Sequence, residues 1–217
     1  MTVFLTDIHT HRTDRREGIV IRAFTDPAAE PETFFTAGLH PEDAQNFSVA
    51  DFQTLWADRR CIAIGECGLD RRFQGVADLT RQKALFLQQA EIAEEKKLPL
   101  IIHSVRTHEE IRQLKAAMKP EQPWILHGFR GNERSTFSLL DAGFYLSFGE
   151  GLLKDAGNME SFFQRIPLER IFFETDESNA DLLQIYALAA SMHSMTLEEL
   201  SLAVRNNFER IFTRYGT

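Results

Sequence analysis

Short apolar, β-prone runs recur along this chain, and most of them are followed by a helix-like segment. The runs are Val3–Asp7, Ile19–Phe24, Phe34–Leu39, Cys61–Gly65, Leu98–Ile102, Trp124–Leu126, Phe144–Phe148 and Ile171–Glu174. Strand–helix alternation at this density constrains the fold to a parallel sheet with helices packed on it. Eight strands predict closure into a (β/α)8 TIM barrel, and an open doubly wound sheet is the alternative. The helical stretches are legible individually. Leu79–Lys97 carries Leu79, Ala84, Leu85, Leu87, Ala90, Ile92 and Ala93 among charged residues. Thr107–Met118 opens with Thr107 as cap and Glu110 as its capping-box partner. Asn132–Ala142 stops at Gly143, Asp181–Met192 follows the last strand, and Thr196–Phe212 begins Thr-Leu-Glu-Glu. The spans from Thr10 to Gly18 and from Thr25 to Thr33 are too short, and too rich in Pro, Asp and Arg, for full crossover helices. The expectation is a distorted barrel whose first two crossover helices are missing or reduced.

With 217 residues and no internal repeat or linker, the chain reads as one domain, residues 1–217. No apolar run reaches the length of a membrane helix and the N-terminus lacks a signal-peptide pattern, so a cytoplasmic protein without membrane association is expected. Cys61 and Cys67 read as free core thiols rather than a disulfide. A formal charge of −8 argues against coating nucleic acid by general electrostatics. It leaves room for an enzyme that engages a few phosphates locally, since bound divalent ions offset part of the acidic field.

The chemistry sits at the ends of the strands. His9 and His11 end the first, His40 the third, Glu66 the fourth, His103 the fifth, His127 the sixth and Asp176 the eighth. Five of the 7 histidines are thus at carboxyl ends of strands, which in a barrel converge on one mouth. Residues i and i+2 of a strand face the same way, so His9 and His11 reach into one cavity. Taken singly, a strand-end histidine is more often a satisfied core residue, and Thr-Asp after a strand is usually a helix cap. Six ligand-type residues at one end of different strands are hard to obtain from packing alone, and gathering them without a cation is electrostatically costly. Imidazole with carboxylate suits Zn, Mn, Fe or Ni; a site built of oxygen and water would suit Mg better. Arg71, Arg72, Arg106 and Arg130, on loops after strands four to six, are candidate phosphate contacts, the alternative for each being a solvated surface arginine or a salt bridge. Phe129 and Phe148 are candidate base-stacking rings, and Glu174 is a candidate partner for a metal-bound histidine or, equally, for an arginine inside the barrel.

These segments resemble the TatD-like metal-dependent deoxyribonucleases within the amidohydrolase-like barrels. The resemblance is carried by DIHTH (7–11), AGLHPE (37–42), IAIGECGLD (62–70), the Gln88-containing helix with KKLPLIIHS (96–104), ILHGFRGN (125–132), AGFYLSFG (142–149), IFFETDES (171–178) and NNFERIF (206–212). It implies two divalent metal ions (Zn, Mn, Mg, Ni or Fe). His9 and His11 would bind the first, Glu66 would bridge the pair, and His103 and His127 would bind the second. Asp176 would bind the first while positioning the attacking water. Glu66 and Asp176 are thereby the expected catalytic residues, and His40, Arg106 and Arg130 the expected substrate contacts. The implied activity is hydrolysis of DNA phosphodiester bonds from an end, with DNA as substrate and no stable protein partner. Four departures from the pattern touch the loops where substrate is selected: a shortened region after His11, a short stretch after Asp176, Arg71 and Arg72 in place of an aromatic residue, and an arginine at 106 one position late. The alternatives are a hydrolase of the same metals acting on an amide, lactone or aminoacyl ester, and an inactive metal-binding scaffold.

Overall fold

The computed structural model describes residues 3–14 and 17–216. In chain order the elements are β1 (Thr6–Thr10), β2 (Ile19–Phe24), β3 (Phe35–Ala37), α1 (Gln53–Ala57), β4 (Cys61–Asp70), α2 (Leu79–Lys96), β5 (Leu100–Val105) and α3 (His108–Met118). They continue with β6 (Trp124–Leu126), α4 (Glu133–Asp141), β7 (Tyr145–Phe148), α5 (Glu150–Lys154), α6 (Ala156–Phe163), β8 (Ile171–Phe173), α7 (Leu182–Met192) and α8 (Leu197–Ile211). Strand order follows chain order from β1 to β8, as in a (β/α)8 fold. Among the described residues no helix separates β1 from β2 or β2 from β3, as the short, Pro- and Asp-rich spans predicted. No helix of the described residues is long and apolar enough to cross a membrane.

The chain divides into two compact units, one formed by Met1–Arg22 with His127–Ile211 and the other by Ala23–Leu126 with Phe212–Thr217. In the first unit β7 pairs with β8 and β1 with the start of β2, all parallel. Thr10 and Asp176 form an isolated parallel bridge that ties β1 to the segment after β8. All five residues of β1 (TDIHT) and all four of β7 (YLSF) are buried, as in parallel strands covered on both faces, so the polar side chains of β1 must find partners inside the fold. The helices fix the strand starts. Tyr186, fully buried on α7, donates its hydroxyl to the Thr6 carbonyl at 2.9 Å and accepts the Thr6 N–H at 3.2 Å. Asn207 on α8 donates to the carbonyls of Leu168 (2.7 Å) and Ile171 (3.1 Å), where β8 begins. Thr196 and Glu199 form the reciprocal cap expected at the head of α8.

In the second unit β3, β4, β5 and β6 pair in that order, all parallel. Buried Phe52 and Trp56 stack at 5.6 Å, and Trp56 donates Nε1–H to the Ala37 carbonyl. Phe86 of α2 meets Trp124 of β6 edge to face at 5.1 Å. Asp78 caps α2 by accepting the Arg81 N–H at 2.8 Å, and the helix buries Gln82, Phe86, Gln89, Ala90 and Ala93 as one stripe.

Two sequence expectations are corrected here. β4 runs on to Asp70 and β5 to Val105, so Glu66 and His103 lie inside their strands and not at the ends. β4 carries a register shift between Ile64 and Cys67, and Gly68 sits at φ +155°. A Cβ on Gly68 would fall 1.9 Å from the His103 carbonyl oxygen. The glycines of GECGLD thus allow two long strands to approach closely. The second correction concerns α3. Thr107 makes no side-chain cap bond; its hydroxyl donates to the Leu69 carbonyl at 2.8 Å, and Glu110 pairs with Arg71 instead of closing a capping box.

Candidate metal centre

The first unit gathers four of the expected ligands. The rings of His9 and His11 lie 5.2 Å apart, as the His-x-His spacing on one strand requires, and the His9 and His127 rings 4.3 Å apart. Asp176 Oδ1 is 3.8 Å from His9 Nε2 and 3.7 Å from His11 Nε2. His9, His11 and Asp176 each offer a ligand atom within 4.8 Å of the others, as do His127, Glu174 and Asp176. Backbone bonds set this geometry: Asp176 donates its N–H to the His9 carbonyl at 2.9 Å and accepts the His11 N–H at 3.2 Å. Asp176 adopts φ +52°, a left-handed conformation that Asp and Asn tolerate better than most residues.

Two further carboxylates in this unit belong to the arrangement. Asp7, fully buried in β1, accepts the Thr175 N–H (3.1 Å) and the Thr175 hydroxyl (2.6 Å), fastening the segment that carries Asp176. Sequence reasoning quoted Asp7 within DIHTH and gave it no role. The available signal was a carboxylate inside a buried apolar strand, which requires a partner. Glu174, also fully buried, accepts the Gly128 N–H through Oε1 at 2.5 Å, and the same oxygen lies 3.3 Å from His127 Nδ1. Of the two partners expected for Glu174, the histidine is the one the structure places against it. Its other oxygen, Oε2, is buried without a hydrogen-bond partner among the described residues. A buried carboxylate oxygen in that state, beside His127 and Asp176, fits a site completed by a cation.

The second unit brings together His40, Glu66 and His103. His103 Nδ1 is 2.7 Å from Glu66 Oε1, and its Nε2 is 2.8 Å from Asp70 Oδ2. His40 Nε2 is 3.5 Å from the same Glu66 oxygen, and the His40 and His103 rings stand edge to face at 4.4 Å. His40 Nδ1 accepts the Glu42 N–H at 3.2 Å as the cap of a 3₁₀ turn, which leaves Nε2 as the atom turned to Glu66. A neutral imidazole has one N–H, yet two carboxylates address the two nitrogens of His103. With the N–H given to Asp70, the Nδ1 lone pair faces the Glu66 carboxylate, a donor set suited to a divalent ion.

Asp70, absent from the sequence-derived site, is the residue most tightly held here. It is fully buried, receives Arg72 Nε, Nη2 and backbone N–H, and meets His103. Burial alone would raise its carboxyl pKa; hydrogen bonds from His103 and Arg72 outweigh it and hold the group well below the usual carboxylate range.

The expected substrate contacts are His40 and Arg106 in the second unit and Arg130 in the first. Arg106 follows β5, exposed, at φ +57°, and its carbonyl accepts Arg71 Nε–H at 3.0 Å. Arg130 is exposed in the first unit and runs along Gly151 of α5. Phe129 and Phe148 are buried and pack on each other at 5.8 Å, so neither presents a face for base stacking. Apolar burial wins over that expectation, since a fully covered ring has no open face. Phe73 offers an alternative: it is half-buried, 5.8 Å from the His40 ring, with the Arg72 guanidinium 5.5 Å over its face. Cys61 and Cys67 are buried free thiols, as expected.

Comparison with known proteins places these residues in a family. The model for "TatD related DNase" matches residues 21–213. YcfH of Escherichia coli (strain K12), described as a metal-dependent hydrolase, is 27% identical over 197 residues, covering 82% of this chain and 73% of that protein. The 3'-5' ssDNA/RNA exonuclease TatD of Cronobacter sakazakii is 32% identical over 149 residues, covering 65% of this chain and 56% of that one. The solved structure of YJJV, a TatD homolog from Escherichia coli K12, superposes with a TM-score of 0.78 at 19% identity, over 97% of this chain and 98% of the other. That last likeness establishes the fold, and the sequence match establishes the family: this chain belongs to the TatD related DNase family and is a metal-dependent hydrolase.

Proposed function

We propose that the protein is a phosphodiesterase acting on DNA, with single-stranded ends as the preferred substrate. His9, His11, His127 and Asp176 of the first unit, and Glu66 and His103 of the second, are the proposed ligands of two divalent ions drawn from Zn, Mn, Mg, Ni and Fe. When bound, such ions supply Lewis acidity, polarising a phosphoryl oxygen and acidifying water. The chain's own residues do the rest. Asp176, with its side chain 40% exposed, can accept a proton from the attacking water. Glu66 Oε1 lies 2.7 Å from His103 Nδ1 and 3.5 Å from His40 Nε2.

The observation that carries the phosphodiester reading is the arginine group after β4 and β5. Arg71, Arg72 and Arg106 are exposed; Arg71 is engaged by Glu110 and by the Arg106 carbonyl, and Arg72 by Asp70, so of the three Arg106 is the one put forward as a phosphate contact. Guanidinium forks match the oxygens of a phosphate in a way that neutral ester or lactone substrates do not need. Arg106, Arg130 and His40 are the proposed substrate contacts. The curated relatives named as ssDNA/RNA exonucleases support a nucleic-acid substrate. A reducing, cytoplasmic setting is proposed on the two unpaired thiols.

A hydrolysis screen on manganese-loaded protein tests this. End-labelled single-stranded DNA, duplex DNA and a chromogenic phosphodiester are compared with ester and lactone substrates, and His103→Ala controls for contaminating nucleases. Loss of labelled ends from single-stranded DNA by wild type alone is the expected result. Turnover of ester or lactone with DNA untouched would overturn the proposal in favour of the other hydrolase class.

A further inference from the structure

Two glutamines on one face of α2 share an unusual bonding pattern. Gln82 accepts the Asp70 N–H through Oε1 at 2.7 Å and donates Nε2–H to the Asp70 carbonyl at 3.0 Å. Seven residues on, Gln89 accepts the Leu39 N–H at 2.7 Å and donates to the Leu39 carbonyl at 3.1 Å. Each side-chain amide therefore clasps both backbone groups of one residue. Both glutamines are 1% exposed, and spacing of seven brings them to the same helix face about two turns apart.

The reason lies in unequal strand lengths. β3 ends at Ala37, paired with Ile64, whereas β4 continues to Asp70. The overhanging part of β4, and Leu39 beyond the end of β3, carry buried backbone groups that lack a strand neighbour on that side. Buried N–H and C=O groups must be paired, and an amide side chain presents the donor and acceptor that a neighbouring strand would. The clasped residues are those next to the proposed site. Asp70 meets His103 Nε2, and Leu39 immediately precedes His40.

We propose that α2 is a positioning rack for the second unit's part of the metal centre. Gln82 sets Asp70, which fixes the ring orientation of His103 and turns Nδ1 towards Glu66. Gln89 sets the strand end that presents His40. Gln82, Asp70 and Gln89 are positioning residues in this scheme, and the inference rests on His103 being a metal ligand. Outer partners of metal-bound histidines typically govern metal affinity by about 10–100-fold.

The test measures Mn²⁺ binding directly by titration of metal-stripped protein, with kinetics on bis(p-nitrophenyl) phosphate alongside. Gln82→Met keeps length and volume while losing both bonds to Asp70 and a third to the Ala77 carbonyl; it is expected to weaken Mn²⁺ binding about tenfold, with activity recovered at higher Mn²⁺. Gln82→Glu keeps the acceptor for the Asp70 N–H and is expected to fall between Gln82→Met and wild type, which also covers the case in which Gln82→Met fails to fold. Gln89→Met is expected to raise KM severalfold and leave Mn²⁺ affinity within about twofold, and the exposed Gln88→Met to match wild type. His103→Ala separates the two levels of inference. If it leaves Mn²⁺ binding unchanged, the metal-ligand reading itself fails. If it weakens binding while both Gln82 variants bind as wild type does, the rack is wrong and the metal reading stands. A Gln82→Met protein that only melts earlier, with unaltered Mn²⁺ affinity, likewise overturns the rack.

Discussion

Asp176 and His9 come from opposite ends of the chain, yet Asp176 donates its backbone N–H to the His9 carbonyl at 2.9 Å and places Oδ1 3.8 Å from His9 Nε2. The backbone bond survives any side-chain replacement, so chemistry and architecture can be separated at this position. Asp176→Asn retains a residue type that tolerates φ +52°. Turnover is expected to fall by about 10² or more, for loss of a general base and ligand, with the melting temperature nearly unchanged. Asp176→Ala should add a conformational cost of about 1 kcal/mol, visible in urea denaturation. Near-normal turnover of the Asn variant would remove Asp176 from the mechanism.

Glu174 stands behind His127 as Asp70 stands behind His103. Glu174→Gln preserves shape and can still accept the Gly128 N–H, but it withdraws the negative charge facing His127. Metal affinity is expected to drop by about tenfold or more with little change in circular dichroism. Calorimetric titration with Mn²⁺ or Zn²⁺ decides it, and an affinity equal to wild type would show that Glu174 serves packing alone.

Gly68 has no room for a methyl group, since its Cβ would meet the His103 carbonyl oxygen at 1.9 Å and its φ is +155°. Gly68→Ala should therefore cost about 2 kcal/mol or more in stability and disturb the β4–β5 pairing that brings Glu66 to His103. Equilibrium urea unfolding measures the cost. A variant as stable as wild type would mean that β4 and β5 do not approach in this way.

Burial pushes the Cys61 thiol up to about 12 and the Cys67 thiol well above its ordinary value. Raised thiol pKa values keep both groups protonated and unreactive in the folded state at pH 8. The sign also fixes a stability trend: the unfolded thiols ionise near pH 9 while the folded ones do not, so these residues disfavour folding increasingly as pH rises above about 9. Ellman's reagent at pH 8 should label neither cysteine in native protein and both after denaturation. Rapid native labelling would contradict the burial.

Much of this was legible in the primary structure. Trp124–Leu126 and Ile19–Phe24 are legible as strands with the boundaries they have, because both are β-prone runs bounded by polar or turn-forming residues. The missing helices after β1 and β2 follow from short spans, the first rich in Arg and Asp and the second carrying Pro27 and Pro31. His9 with His11 followed from the period of two along a strand. The expectation for Phe129 and Phe148 failed because position beside a strand end does not reveal whether a ring faces solvent or core. Thr107 failed as a cap because its hydroxyl found the Leu69 carbonyl, a partner from another strand.

The sequence by itself determined the order and kind of elements, the family pattern and the ligand-type residues, because periodicity, turn chemistry and motif spacing are local properties. Only the tertiary structure decided that Asp7 fastens Thr175, that Asp70 backs His103, and that Gln82 and Gln89 pair the backbone of Asp70 and Leu39. Those are contacts between distant segments. They arise because a buried polar group must find a partner wherever packing places one, and no local pattern encodes which partner that is.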